Sequence, residues 1–127
     1  MSKVDNFFQS DSFAVVGATP RTNKYGYKVF KRLQKLGKPV YPIHPKADEI
    51  DGAEVYRSLS ELPEVPEAVN IIVPTSVTER VVRECKKLGI EKVWMQPGAE
   101  SEDAIEFCEE NDIEVVYSDC VLVHPEY

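Results

Sequence analysis

The stretch Phe13-Ala-Val-Val-Gly17-Ala18-Thr19-Pro-Arg21-Thr-Asn-Lys24-Tyr25-Gly26 holds the residue types best placed to do chemistry. Four consecutive apolar residues suit a parallel strand covered on both faces, and Gly17 permits a sharp turn where a side chain would block a ligand. A helix opening just after that turn would aim free N–H groups and its positive dipole end at whatever sits above. A phosphate is the usual guest at such a place. An ordinary strand-to-helix turn also favours glycine, so this stretch alone leaves both readings open.

Five apolar segments position that loop. Residues 13–16, 39–43, 68–73, 92–95 and 114–117 read as strands, with amphipathic helical patterns between most of them. Val29, Phe30, Leu33 and Leu36 form one helical face; Val77, Val81, Cys85 and Leu88 form another, opened by a capping box of Ser76 and Glu79. A third helix begins at Ser101 and carries Ala104, Ile105 and Cys108 inward. Val4, Phe7 and Phe8 have helical spacing in a short N-terminal segment expected to pack across the base of the sheet. Residues 47–66 promise little regular structure beyond an Asp51-Gly52 turn and one helical turn after Ser58. Right-handed crossovers then give an α/β, Rossmann-like doubly wound sheet of about five parallel strands with helices on both faces, expected in the order third, second, first, fourth, fifth (3-2-1-4-5). All five carboxyl ends share one edge, which gathers the loops 17–25, 44–49, 74–76, 96–100 and 118–121.

The 127 residues are expected to form a single domain, 1–127, with no apolar run long enough to span a membrane and no signal-peptide core. A cytoplasmic location is expected. Cys85, Cys108 and Cys120 lie far apart without CxxC or paired histidines, so neither a zinc site nor a disulfide framework is indicated. A net charge of −7 argues against nucleic acid and anionic membranes as partners. That charge is uneven: residues 1–50 carry nine Lys and Arg against four Asp and Glu, a net +5, which leaves −12 for the rest. His44 and His124 sit beside prolines with no carboxylate partner evident, and no Ser-His-Asp, paired-carboxylate or metal constellation can be assembled. Catalytic residues: none.

A dinucleotide site of the NAD type expects GxGxxG and an acid after the second strand. Here Thr19 and Thr22 stand where the later glycines would be, the next glycine is Gly26, and His44-Pro45-Lys46 replaces the acid. A cation at that place suits a phosphate on the ribose, which NADP and coenzyme A both carry.

Val16-Gly17-Ala18-Thr19 with Tyr25-Gly26, Tyr41-Pro-Ile-His-Pro45, Val55-Tyr56-Arg-Ser-Leu59, Val73-Pro74, Trp94-Met-Gln-Pro-Gly98 and Ser118-Asp-Cys120 form an ordered set. It resembles the small stand-alone CoA-binding proteins, which are similar to the nucleotide-binding domain of the succinyl-CoA synthetase alpha subunit. The resemblance covers about residues 11–122 and implies coenzyme A in the switch-point crevice. It places Gly17, Ala18, Thr19 and Arg21 around phosphate, with Lys24, Tyr25 and Gly26 at the helix mouth and Lys46, beside His44 and Pro45, near the ribose phosphate. Val73, Pro74 and Thr75 and Gln96, Pro97 and Gly98 would flank the nucleotide or pantetheine, and Cys120 lies on the ligand edge. The first loop departs from the synthetase in having Pro20-Arg21-Thr22-Asn23 in place of further glycines, so side chains would share in holding the pyrophosphate. The synthetase's catalytic phosphohistidine lies in a following domain that this chain lacks. The resemblance thus implies CoA or acyl-CoA binding without catalysis, as sensor, carrier or docking module, with a protein partner or homo-oligomer left open. The alternatives are an NADP-dependent enzyme, a CoA-dependent enzyme whose reactive group is Cys120, and a structural protein with a vestigial pocket.

Overall fold

The computed structural model describes residues 2–127. Helix α1 (Lys3–Phe8) precedes strand β1 (Phe13–Val16), helix α2 (Tyr25–Gln34) and strand β2 (Val40–Ile43). A hairpin of β3 (Glu49–Ile50) and β4 (Ala53–Glu54) turns at Asp51-Gly52, and one 3-10 turn, Leu59–Glu61, follows. Then come β5 (Ala68–Ile71), α3 (Thr75–Leu88), β6 (Lys92–Met95), α4 (Glu102–Glu110), β7 (Glu114–Val116) and a 3-10 turn at Val121–Val123. No helix among the described residues is long and apolar enough to cross a membrane.

The five long strands pair in parallel throughout, in the order β2-β1-β5-β6-β7. The parallel, helix-covered sheet agrees with the pattern in the sequence; the expected strand order does not. The third long strand, β5, lies against β1 rather than outside β2. Prolines explain why. Pro42 has no N–H to give a second neighbour, and proline belongs on edge strands. Accordingly β2 is only half covered, whereas β1 and β5 are buried along their whole length. The outer side of β2 takes a single bridge, Ile43 to Tyr56. In this order the chain reverses direction of travel between β1 and β5, and that pair defines the switch point.

Alternation along the strands divides the core in two. Phe13, Val15, Ala68 and Trp94 face α1 and α2, meeting Phe7, Phe8, Val29, Phe30 and Leu33. Ala14, Val16, Val69, Ile71, Val93 and Met95 face α3 and α4. Cys85 and Cys108 are fully buried on this second side. Burial raises both thiols, Cys108 to about 12, so neither is a ready nucleophile.

Capping differs from expectation at one helix. α3 starts at Thr75 on Pro74, so Ser76 and Glu79 form no capping box. Glu79 instead accepts a hydrogen bond from Ser101 Oγ at 2.6 Å, tying α3 to the start of α4. Proline's fixed φ makes it compatible with a helix entrance, which moves the boundary upstream of Ser76.

Candidate functional site at the carboxyl edge of β1 and β5

Gly17 ends β1 with φ +102, a conformation that side chains rarely adopt. A Cβ there would stand 2.1 Å from the carbonyl oxygen of Ile72, which continues β5. A Cβ on Gly26 would stand 2.1 Å from the carbonyl oxygen of Gly17. The first glycine therefore lets the loop lie against β5, and the second lets α2 start directly on that loop. Gly26 takes over the helix-packing role of a late glycine in a phosphate-binding turn, at a spacing of nine residues.

Two helix entrances meet here, and neither is capped by a side chain. α2 begins after Lys24 and α3 after Pro74, with no acidic residue in either first turn. Among the described residues no acceptor faces the N–H groups of Tyr25, Gly26, Thr75 or Ser76. Arg21, Lys24 and Lys46 are exposed and form no salt bridge among the described residues.

The loop after β2 is built around His44. Its Nδ1 accepts the N–H of Lys46 at 3.0 Å and that of Ala47 at 2.9 Å. Arg57 holds the same loop from the other side, donating to the carbonyls of Ala47 at 2.6 Å and His44 at 3.2 Å and to Asp48 at 2.8 Å. Burial lowers the pKa of His44, and the positive charges of Arg57, Lys46 and Arg21 lower it further. Arg21 and Lys46, twenty-five positions apart in sequence, thus act on one imidazole.

Beneath these loops lies a depression of about 790 Å3 between the 3-10 turn at Leu59 and helix α3. It exists because the β2 to β5 connection supplies one short turn where a full crossover helix would otherwise cover the sheet. Val16, Ile43, Leu59, Val73, Val77 and Val81 make its surface apolar, and Arg57, Arg80, Arg83 and Lys87 stand around it. Ser60 Oγ bonds Glu84 across it at 2.7 Å.

Of the residues expected at the site, Gly17, Pro45, Val73 and Pro74 line this depression. Ala18 is buried beneath the first loop, and Thr19 Oγ1 accepts the N–H of Arg21. Gln96 is turned inward: its amide donates to Asn70 at 2.7 Å and accepts from the N–H of Val121 at 3.3 Å, so its side chain belongs to the core. Pro97 and Gly98 are exposed in the loop before α4, where Glu100 accepts the Gly98 N–H. Cys120 is half-buried after β7, with β5 and β6 separating its strand from β1. Its segment folds over the α2 side, where Asp119 O accepts from Trp94 Nε1 and Val121 enters the core. His124, which showed no acidic partner in the sequence, has two in the fold: Nε2 lies 2.8 Å from Asp119 and Nδ1 lies 3.5 Å from Glu126. The turn from Asp119 to His124 makes the first pair, against the rings of Phe8 and Trp94.

Arg57, Leu59 and the α3 cations were given no role from sequence. Arg80, Arg83 and Lys87 do recur at helical spacing, a signal that they share a face; Arg57 sits in an irregular segment with no such signal.

The chain is 34% identical over 91 residues to the acetate–CoA ligase (ADP-forming) II subunit alpha of Pyrococcus furiosus; the match takes in 71% of this chain and 20% of that protein. The chain thus spans about a fifth of that curated relative. It is 27% identical over 115 residues to the protein YneT of Bacillus subtilis, covering 91% of this chain and 85% of YneT. Among solved structures, a conserved hypothetical protein from Pyrococcus furiosus superposes with a TM-score of 0.82 at 38% identity, over 89% of this chain and 97% of that one. The model of the CoA binding domain matches residues 11–125. With its parallel sheet, glycine-turned first loop and apolar crevice at the switch point, the chain belongs to the CoA-binding domain family.

Proposed function

We propose that the chain binds coenzyme A or an acyl-CoA ester across the β1/β5 crevice, without catalysis of its own, as a sensor, carrier or docking module. One observation carries this reading: two uncapped, acid-free helix entrances converge with Arg21 and Lys46 above an apolar depression. The protein's net charge of −7 repels a polyanion at long range, so affinity has to come from donors gathered locally.

In this reading the pyrophosphate lies over Gly17, Ala18 and Thr19, facing Arg21, Lys24 and the amides of Tyr25 and Gly26. Lys46 meets the ribose phosphate beside His44 and Pro45. Val73, Pro74 and Leu59 offer apolar surface to adenine or pantetheine, and Thr75 opens α3 toward the ligand. Pro97 and Gly98 sit farther along the edge, Gln96 acts through the core, and Cys120 follows β7, which β6 separates from β5. The similarity to a CoA ligase subunit supports the ligand.

NADP also carries a ribose phosphate, so the test includes it. Mass spectrometry of the natively purified chain is expected to release CoA or an acyl-CoA, and calorimetric competition is expected to rank CoA above NADP and far above NAD. Tight NAD binding contradicts the reading, because His44-Pro45-Lys46 and not an acid stands directly at the end of β2, where a ribose diol would be received.

A further inference from the structure

We propose that His44 is a positioning residue that holds the Lys46 loop only as a neutral imidazole, so that the anion site loosens on acidification; this rests on the reading that an anionic ligand sits at Lys46. His44 Nδ1 accepts two backbone N–H groups, from Lys46 at 3.0 Å and Ala47 at 2.9 Å. A nitrogen that accepts carries no proton, so the ring is the Nε2–H tautomer. The next proton has one place to go. It must land on Nδ1, and doing so turns an acceptor into a donor facing two donors.

The surroundings oppose that proton as well. Arg57 reaches in from the segment after β4, Lys46 lies on the same loop, and Arg21 comes from the β1 to α2 loop. The nearby carboxylate of Asp48 is engaged by Arg57 at 2.8 Å. Because folding lowers the pKa of His44, the folded chain binds fewer protons there than the unfolded chain. The stabilising contribution is therefore present above the unfolded value near 6.5 and is lost as pH falls below it.

The consequence runs against ordinary intuition. A histidine beside a phosphate usually strengthens binding in acid by becoming a cation. Here protonation frees the N–H groups of Lys46 and Ala47, leaving the cation on a loop that Arg57 still holds through the carbonyls of His44 and Ala47 and the carboxylate of Asp48. Asparagine supplies the decisive comparison, since its Oδ1 can accept from the backbone two or three residues on and does not titrate.

Two measurements on the full chain test this. In the ligand-free protein, 15N NMR of the imidazole is expected to show Nδ1 unprotonated, with the Lys46 and Ala47 amide shifts titrating at the midpoint of the ring. A proton on Nδ1 at neutral pH overturns the proposal. CoA titrations of wild type and His44→Asn at about pH 7.5 and at about one pH unit below the midpoint of the ring follow; comparing the two proteins cancels the ligand's own phosphate titration. The wild type is expected to lose on the order of tenfold more affinity on acidification than His44→Asn, the scale of one linked proton over a pH unit. Equal losses, or a relative gain by the wild type, overturn it. Failure of both proteins to bind CoA removes the coenzyme reading and the affinity half of the proposal, while the NMR result still decides the tautomer and the tether.

Discussion

At the carboxyl edge, α2 and α3 begin with neither a side-chain cap nor an acid in the first turn, whereas α4 begins on Ser101, whose Oγ accepts the Ala104 N–H, followed by Glu102 and Asp103. The loop before α4 is satisfied internally too, through Glu100 on the Gly98 N–H. A missing cap costs a helix about 1 kcal/mol. Two such omissions, side by side at the switch point and surrounded by exposed cations, leave donors for an anion; the finished entrance of α4 leaves few and surrounds them with negative charge. Both halves share one fold, so the difference does not come from the sheet.

The largest expected effect comes from destroying the close approach at the open half. Gly17→Ala has to accommodate a side chain at φ +102 and a 2.1 Å clash with the Ile72 carbonyl oxygen. Left-handed strain and overpacking together are expected to cost about 2–5 kcal/mol of stability by chemical denaturation. A loss under about 0.5 kcal/mol, the range of an ordinary surface change, would show the loop to be looser than described.

Ser101→Ala acts on the other half. It removes the α4 cap and the bond to Glu79, and is expected to cost roughly 1 kcal/mol of stability with no change in CoA affinity. A fall in affinity matching the fall in stability would erase the distinction between the halves.

Smallest and sharpest is Thr75→Glu, which gives α3 the acidic first turn that α4 has. The charge is expected to stabilise the fold by about 0.3–1 kcal/mol while weakening CoA binding by a similar amount, the two moving in opposite directions. Melting and calorimetry on the same sample check this. Movement of both in one direction would sever α3 from the anion site.

How much of this was legible follows from where each signal sits in the chain. β1 and β5 could be read because buried parallel strands are unbroken apolar runs. Strand order was misread although Pro42 held the clue, since a proline restricts a strand to an edge only once its neighbours are considered. The first loop and the Lys46 loop were visible as residue types at strand ends. Their meeting around His44 was not, because Arg57, which fastens the second loop, lies in a segment with no period to read. Gln96 misled for a related reason. The resemblance places it at the crevice, whereas a partner at Asn70 and another at the Val121 N–H turn its side chain into the core. Such pairings depend on contacts twenty-five or more residues apart.

The central claim is that a coenzyme bearing a ribose phosphate lies across the open half with that phosphate at Lys46. Calorimetric titration of wild type, Lys46→Ala and Arg21→Ala with CoA and with dephospho-CoA at one fixed salt concentration tests it most directly. Lys46→Ala is expected to weaken CoA by roughly 1–3 kcal/mol, the range for a charge-assisted hydrogen bond, and to leave dephospho-CoA nearly unchanged. Arg21→Ala, acting on the pyrophosphate that both ligands share, is expected to weaken the two alike. Equal loss of both ligands in Lys46→Ala, or no loss in either, would contradict the account.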